Sequence, residues 1–368
     1  MVKRYAPILK AKAGEFKAIK ELNADVLSRV APMFDVEQPD PGKGISATSH
    51  IAKVATSLRK CGPPSVFFVD AFSWPADAEV ETGEHVYSFL VSMLRAEGLA
   101  PVPTIGYDRW GSAEYRLAIQ NIGAGPNGMW AIRLDRSVFE DMYDQDLVRE
   151  TIEDMLATVD ADPSNVVIFI DLEDLSAPQF SVAALYSDCE DLVQALSDFQ
   201  FRAFVIAGSS MPPQINFAVP TPNSTTSMPR KEQLVWRALR ANFPTVPIIS
   251  GDYGVRGPTS YSGPNKHMNG KVRYSTDRTF FIARGHSINL DGSYVQMHAL
   301  AQAVVASGHY RGPAYSWGDQ KIAQAAAGQF TGNMSSWIAV DTNHHTHAVV
   351  DEVIGFELTL NQVAVPAL

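Results

Sequence analysis

The sequence predicts an α/β fold, a (β/α)8 barrel with a C-terminal α+β extension over its mouth, and three observations predict it. Eight short apolar runs recur within the first two thirds of the 368 residues. Helix-like stretches separate them. Four segments carry two charged residues spaced i and i+2: Lys10/Lys12, Asp35/Glu37, Arg133/Asp135 and Asp171/Glu173. A strand has period two, so each such pair points to one side. An apolar run that closes on same-side charges reads as a buried parallel strand whose carboxyl end opens into a polar site.

The runs and their helices follow in order. Run 5–9 precedes a helical pattern at 15–27, run 31–36 one at 46–59, and run 65–70 one at 79–97. Run 101–106 leads to a short helix at 113–121, and run 128–134 to a long amphipathic helix at 138–159. Run 165–172 precedes a helix at 182–198, run 201–206 one at 231–242, and run 246–250 is the eighth. Strands alternating with helices imply βαβ units and a parallel sheet. Eight units fit a TIM-like barrel over residues 1–254. A doubly wound open sheet is the rival. It would concentrate its site at one switch point, whereas here polar residues follow nearly every strand.

Two stretches break the pattern. Residues 211–229 are rich in Pro, Ser, Thr and Asn, and read either as a lid over the mouth or as a solvated excursion. Residues 255–368 form the extension, with strands expected at 279–283 and 335–340 and helices at 295–306 and 321–327.

Composition narrows the class. A net charge of −10 disfavours broad nucleic-acid binding but leaves room for a local basic patch. The two cysteines, Cys61 and Cys189, do not make a metal-ligand spacing. The first residues are too briefly apolar for a signal peptide, and no run approaches the roughly 20 apolar residues of a membrane span. These features predict a cytoplasmic protein with reduced thiols and no membrane partner.

The strand ends supply the main candidate site. Lys10, Lys12, Asp35, Asp70, Asp108, Arg133, Asp135, Asp171, Glu173 and Asp252 follow or close apolar runs and would ring one mouth. Lys and Arg bind anionic oxygens, while carboxylates hold a metal or move protons. The plainer alternative is a set of salt-bridged charges that neutralise one another. Asp171-Leu-Glu-Asp174 could ligate Mg²⁺ or a similar hard cation, which makes a divalent metal the one cofactor suggested.

Histidine supplies a second signal. Seven of the nine lie from His267 onward, most densely in Asn343-His344-His345-Thr346-His347. Such a group can ligate a metal or act as acid and base near neutral pH, or it can simply hydrogen-bond backbone at a contact. In a strand, His345 and His347 would share a side. There is no Gly-x-Gly-x-x-Gly fingerprint, P-loop or nucleophile elbow. Tyr107, Trp110, Tyr253, Tyr315 and Trp317 lie near charged segments and could stack on a ring or simply pack.

Four segments carry a family resemblance. They are Tyr5-Ala-Pro-Ile-Leu-Lys10-Ala-Lys12-Ala-Gly14-Glu15-Phe16, Gly251-Asp252-Tyr253, Ser316-Trp317-Gly318-Asp319 with Gly328 and Gly332-Asn333 downstream, and Thr342-Asn343-His344-His345. Together they resemble, nearly end to end, the Beta protein family of phages, prophages and bacterial mobile islands. That family is similar to a phage protein that counteracts a killer gene product carried beside it. The resemblance therefore implies a role in immunity or antiviral defence, and a protein partner encoded nearby. It supplies no reaction. It does draw attention to Lys10, Lys12, Glu15, Asp252, Tyr253, Trp317, Asp319, Asn343, His344 and His345.

Two functional readings remain. In the first, an immunity or defence protein binds a partner protein or an anionic small ligand at the mouth. Lys10, Lys12 and Arg133 hold negative charge, the acids and His345 orient it, and Asp35, Tyr253, Trp317, Asp319, Asn343 and His344 complete the site. In the second, a hydrolase or lyase acts on a phosphorylated or nucleotide-like substrate. Asp171 and Glu173 hold a metal or act as base, His345 acts as acid, and Asp252 joins them.

Overall fold

Each of the eight apolar runs becomes a strand, because apolar side chains on both faces are covered. The computed structural model describes residues 3–258, 268–290 and 293–363. The chain begins β1 (Ile8–Lys10), α1 (Ala13–Lys20), α2 (Ala24–Arg29), β2 (Met33–Asp35), α3 (Ala47–Cys61), β3 (Phe68–Asp70) and α4 (Val86–Ala96). It continues β4 (Val102–Gly106), α5 (Ala113–Ile122), β5 (Trp130–Leu134), α6 (Ser137–Asp141), α7 (Gln145–Thr158), β6 (Val166–Asp174) and α8 (Val182–Leu196). Next come β7 (Ala203–Ser209), α9 (Ile215–Ala218), β8 (Ser224–Pro229), α10 (Lys231–Asn242) and β9 (Ile248–Ser250). The last part holds β10 (Asn269–Thr276), β11 (Thr279–Ser287), α11 (Met297–Ala306), α12 (Trp317–Ala326) and α13 (Met334–Val363).

Strands β1 to β7 and β9 form one parallel eight-stranded sheet in sequence order, curled like a half-barrel. Its concave face is lined by Ile8, Met33, Phe68, Val102, Ala131, Phe169 and Val205. Its convex face, with Leu9, Phe34, Val69, Ile132, Ile168 and Ile206, packs on the helices. Tyr5 bridges to both Val30 and Ser250. The Ala6 and Ile8 amides donate to the carbonyls of Ser250 and Asp252 at 2.8 and 2.7 Å. The chain before β1 thus touches the backbone of β9 and the residues just after it.

A second, antiparallel sheet has the order β10-β11-β8. Residues 211–229 are therefore not a free loop: β8 pairs with β11 from Ser224↔Arg284 to Pro229↔Thr279. Alternating exposure along β8 is what an edge strand with one covered face produces.

Three expected helices are also corrected. Residues 15–27 break into α1 and α2, where the Asn23 side chain accepts from the Val26 amide and starts a new helix. Residues 138–159 break into α6 and α7, where Asp144 does the same for Leu147. The helix expected from 79 starts at Val86, capped by His85.

The largest correction is residues 335–340, which are not a strand but the start of the 30-residue α13. Trp337 and Val340 pack into the core of the second sheet, while Val349, Val350 and Val353 join the core between the parallel sheet and its helices. One helix thus serves two cores in succession. It packs on α1, α2, α12 and β10, and its second half also meets α10 through side chains. On the α10 side, Trp236 meets Phe356 edge-on at 5.4 Å and Arg237 reaches Glu352 at 3.0 Å.

Two glycines make these helix contacts. A Cβ on Gly14 would lie 2.7 Å from Ile338 Cγ2, and one on Gly318 would lie 2.4 Å from the Val340 carbonyl oxygen. Both glycines sit in the segments that carry the family resemblance.

Candidate functional site

The concave face changes from apolar to charged one strand period beyond its apolar lining. Two residues past Ile8, Met33 and Phe68 come Lys10, Asp35 and Asp70, which are neighbours in register. Two past Ala131 and Phe169 come Arg133 and Asp171. All five are buried. The sequence pattern therefore places real charges in one layer at the carboxyl ends of the strands.

Arg133 is the centre of that layer and is fully buried. It donates to Asp70 at 2.9 Å, to Asp171 at 2.9 and 2.7 Å, and to the Tyr253 hydroxyl at 2.8 Å. The Phe72 ring covers its guanidinium, with the centroid 3.8 Å away. Arg109 adds a second cation on Asp70 at 2.9 Å. A buried charge is stable only when paired and hydrogen-bonded, and this network meets both conditions. Its cations are therefore committed inward. Lys10 and Lys12, expected to bind an anion, both pair with Glu37. Burial pushes the Glu37 carboxyl up, but Lys10 and then Lys12 outweigh it and hold it below the usual range.

The acids around Arg133 behave differently. Burial, only partly offset by Arg133, pushes Asp35 up to about 6. Asp35 Oδ1 has no hydrogen-bond partner among the described residues. Burial likewise pushes Asp108 up to about 6, against Arg109. Glu173 is raised by burial and by Asp171. Its backbone is left-handed, at φ 53°, and its amide donates to Asp171 Oδ1 at 2.9 Å. Asp135 is buried and accepts from Ser137 at 2.7 Å.

A second buried network joins the C-terminal part to the sheet. His345 Nε2 lies 2.8 Å from Asp252 and 3.0 Å from the Tyr5 hydroxyl, and its Nδ1 lies 2.6 Å from Ser275 Oγ. Tyr5 also donates to Asp252. Burial lowers the imidazole, against the pull of Asp252, so the ring favours its neutral form. Serine, histidine and aspartate in a chain suggest a nucleophile with its base. Here Ser275 and His345 are both fully buried and Phe280 stacks on the imidazole, so no substrate reaches the hydroxyl. Because Asp252 and Tyr253 are adjacent, this network and the Arg133 network meet.

His344, Asp319 and Asn343 form a joint between elements. His344 Nδ1 lies 2.8 Å from Asp319, and its ring stacks on Tyr274 at 3.7 Å. Asn343 accepts from the Gly318 amide and donates to the Ala18 carbonyl, tying α13 to α12 and α1. Trp317 is half-buried, with the Lys17 ammonium 5.5 Å from its ring. Since the segment is helical, His344 and His347 share a side, and His345 and His347 do not. His267 lies outside the described residues. Among the described residues, no three or more His, Cys, Asp or Glu side chains are grouped to hold a metal ion.

Sequence reasoning missed two cation features. Arg109 follows the singled-out Asp108 directly. The second is a groove outside the sheet between α1 and α3, walled by Lys12, Lys17, Lys20, Lys53 and Lys60 over a floor that includes Phe16 and Val54. Five of the twelve lysines in the chain line it. Lys17 pairs with Glu21, but Lys20, Lys53 and Lys60 have no ion pair among the described residues. The spacings 17/20 and 53/60 are helical same-face spacings, a signal present in the sequence.

Fold and site together define a class: an α/β protein with a curled parallel sheet, a self-neutralised charged layer at the strand ends and a lysine-walled groove beside them. A family model described as Beta protein matches residues 5–351, and the chain belongs to that family. No curated protein matches it. No helix among the described residues is long and apolar enough to cross a membrane.

Proposed function

We propose that this is an immunity or defence protein of phages and other mobile elements, working in the cytoplasm by recognising a partner protein. The partner presents an acidic, amphipathic segment to the groove between α1 and α3. The concentration of five lysines in this one groove carries the reading. A chain of net charge −10 repels nucleic acid at long range, and a local field of opposite sign steers an acidic partner. The apolar floor takes the apolar side of such a segment, as a helix-in-groove contact does. Lys12 stands where the groove meets the strand ends, so this surface adjoins the charged layer.

The same reading takes the sheet as a closed TIM-like barrel. The Tyr5–Ser250 bridge supports closure, and the reading assigns to α13, which packs on α1 and α2, the role of the eighth helix. Residues 269–326 are then an insertion after the eighth strand, and the division at 254 gives way to a single unit.

The test is binding of a synthetic Glu/Leu amphipathic helical peptide by wild type and by Lys20→Glu/Lys53→Glu/Lys60→Glu. Wild type binds with an affinity that falls with salt, and the variant loses about tenfold or more with unchanged melting temperature. Equal binding by the variant overturns the reading. Preference for duplex DNA over the peptide would reassign the groove to nucleic acid.

The second reading is a hydrolase or lyase acting on a phosphorylated or nucleotide-like substrate. Asp35 and Asp108 favour it, since carboxyls near 6 suit general acid–base work. Turnover of para-nitrophenyl phosphate or a nucleotide that is lost in both Asp35→Asn and Asp108→Asn would establish it.

A further inference from the structure

A second pocket lies between the loops after β7 and β9 and the face of β10 and α13. Met211, Val255, Met297 and Trp337 give it apolar walls, and Lys271, Arg256 and Arg273 stand among them. Arg273 is committed, donating to Asp341 at 2.9 Å and to the Val255 carbonyl at 2.7 Å. Arg256 reaches Glu15 at 3.1 Å. Lys271 is half-buried and has no hydrogen bond or ion pair among the described residues. A lysine taken from water into apolar surroundings without a partner is costly, and two neighbouring guanidiniums add to the cost. Burial first, then Arg273 and Arg256, pull its ammonium down to about 8. Among the described residues, three cations face two carboxylates, Glu15 and Asp341.

We propose that this pocket binds a small amphiphile, with an anionic head group on Lys271 and an apolar body against Met211, Met297 and Trp337. The head group supplies Lys271 with the counter-charge that it lacks among the described residues. The apolar walls disfavour a fully hydrated ion such as inorganic phosphate, because Lys271 replaces only part of its water. This site is separate from the lysine groove, and the two proposals stand or fall independently.

Octanoate is the probe and octylamine, of similar length and opposite charge, is the control. Binding is read by calorimetry and by shift of the melting temperature on the full chain. Octanoate binds wild type and raises its melting temperature, whereas octylamine does not. Lys271→Met keeps the side-chain volume and removes the charge. It raises the melting temperature of the ligand-free protein and weakens octanoate about tenfold or more. Opposite movements in one variant cannot come from a folding defect. No octanoate binding to wild type overturns the proposal, as does equal binding by Lys271→Met. Octylamine binding as tightly as octanoate overturns it too.

Discussion

Arg133 ties together two buried carboxylates and a tyrosine in the layer at the strand ends. Arg133→Met leaves Asp70 and Asp171 in apolar surroundings with one cation fewer, and is expected to cost roughly 3–5 kcal/mol in denaturant unfolding. A loss under about 1 kcal/mol would mean that water already reaches the layer. Asp35 behaves in the opposite sense. Its folded-state carboxyl titrates at about 6, above the unfolded value near ~4. The stability it contributes is complete below the unfolded value and is lost as pH rises through about 6. Asp35→Asn, which fixes the uncharged form, is therefore expected to stabilise the protein at pH 7.5 by on the order of 2 kcal/mol and to make little difference at pH 4. Unfolding of both proteins across that range checks the sign, and a pH-independent difference would contradict it. The candidate charges at the carboxyl ends of the strands and the histidine cluster were legible as residues. Their pairing was not, because a side chain's partner comes from another strand. Nothing in Arg133-Leu-Asp135 announces that the arginine is shared between Asp70 and Asp171.

Among the elements, α13 is the one whose reading changed most. A short apolar run such as 335–340 fits either a strand or one face of a helix, and length alone arbitrates. The length became visible only once Trp337, Val340, Val349 and Val353 were seen to fall on two successive cores. Its contact with α1 depends on a missing side chain. Gly14→Ala sets a methyl 2.7 Å from Ile338 Cγ2, and is expected to cost about 1–3 kcal/mol although alanine is the better helix former. Adding Ile338→Ala should recover part of that loss, a coupling that a double-mutant cycle measures. Simple additivity would show that the helices separate instead. Helix boundaries at Asn23 and Asp144 follow the same lesson on a smaller scale. Each cap residue was in plain view, but the apolar periodicity ran across it.

At the scale of the whole molecule, the parallel sheet and the second sheet share α13, so the chain's last described helix packs on α1 and α2, the helices that follow its first strand. A chain ending at Gly254 loses the Asp252–His345 and Glu15-side contacts as well as Val349, Val350 and Val353 from the main core. It is expected to show no cooperative thermal transition, while the full chain shows one. A truncated chain that melts cooperatively would instead support the two-unit division at 254. The sequence by itself determined the eight strands, their parallel order and the charged layer at their ends. Period-two apolar runs and their closing charges are local patterns, and local patterns survive in one dimension. Only the tertiary structure decided that those charges neutralise one another, that the histidines bury themselves against Asp252 and Asp319, and that five lysines from two helices line one groove. Those facts depend on which distant residues meet, and burial rather than sequence spacing selects the partner of each charge.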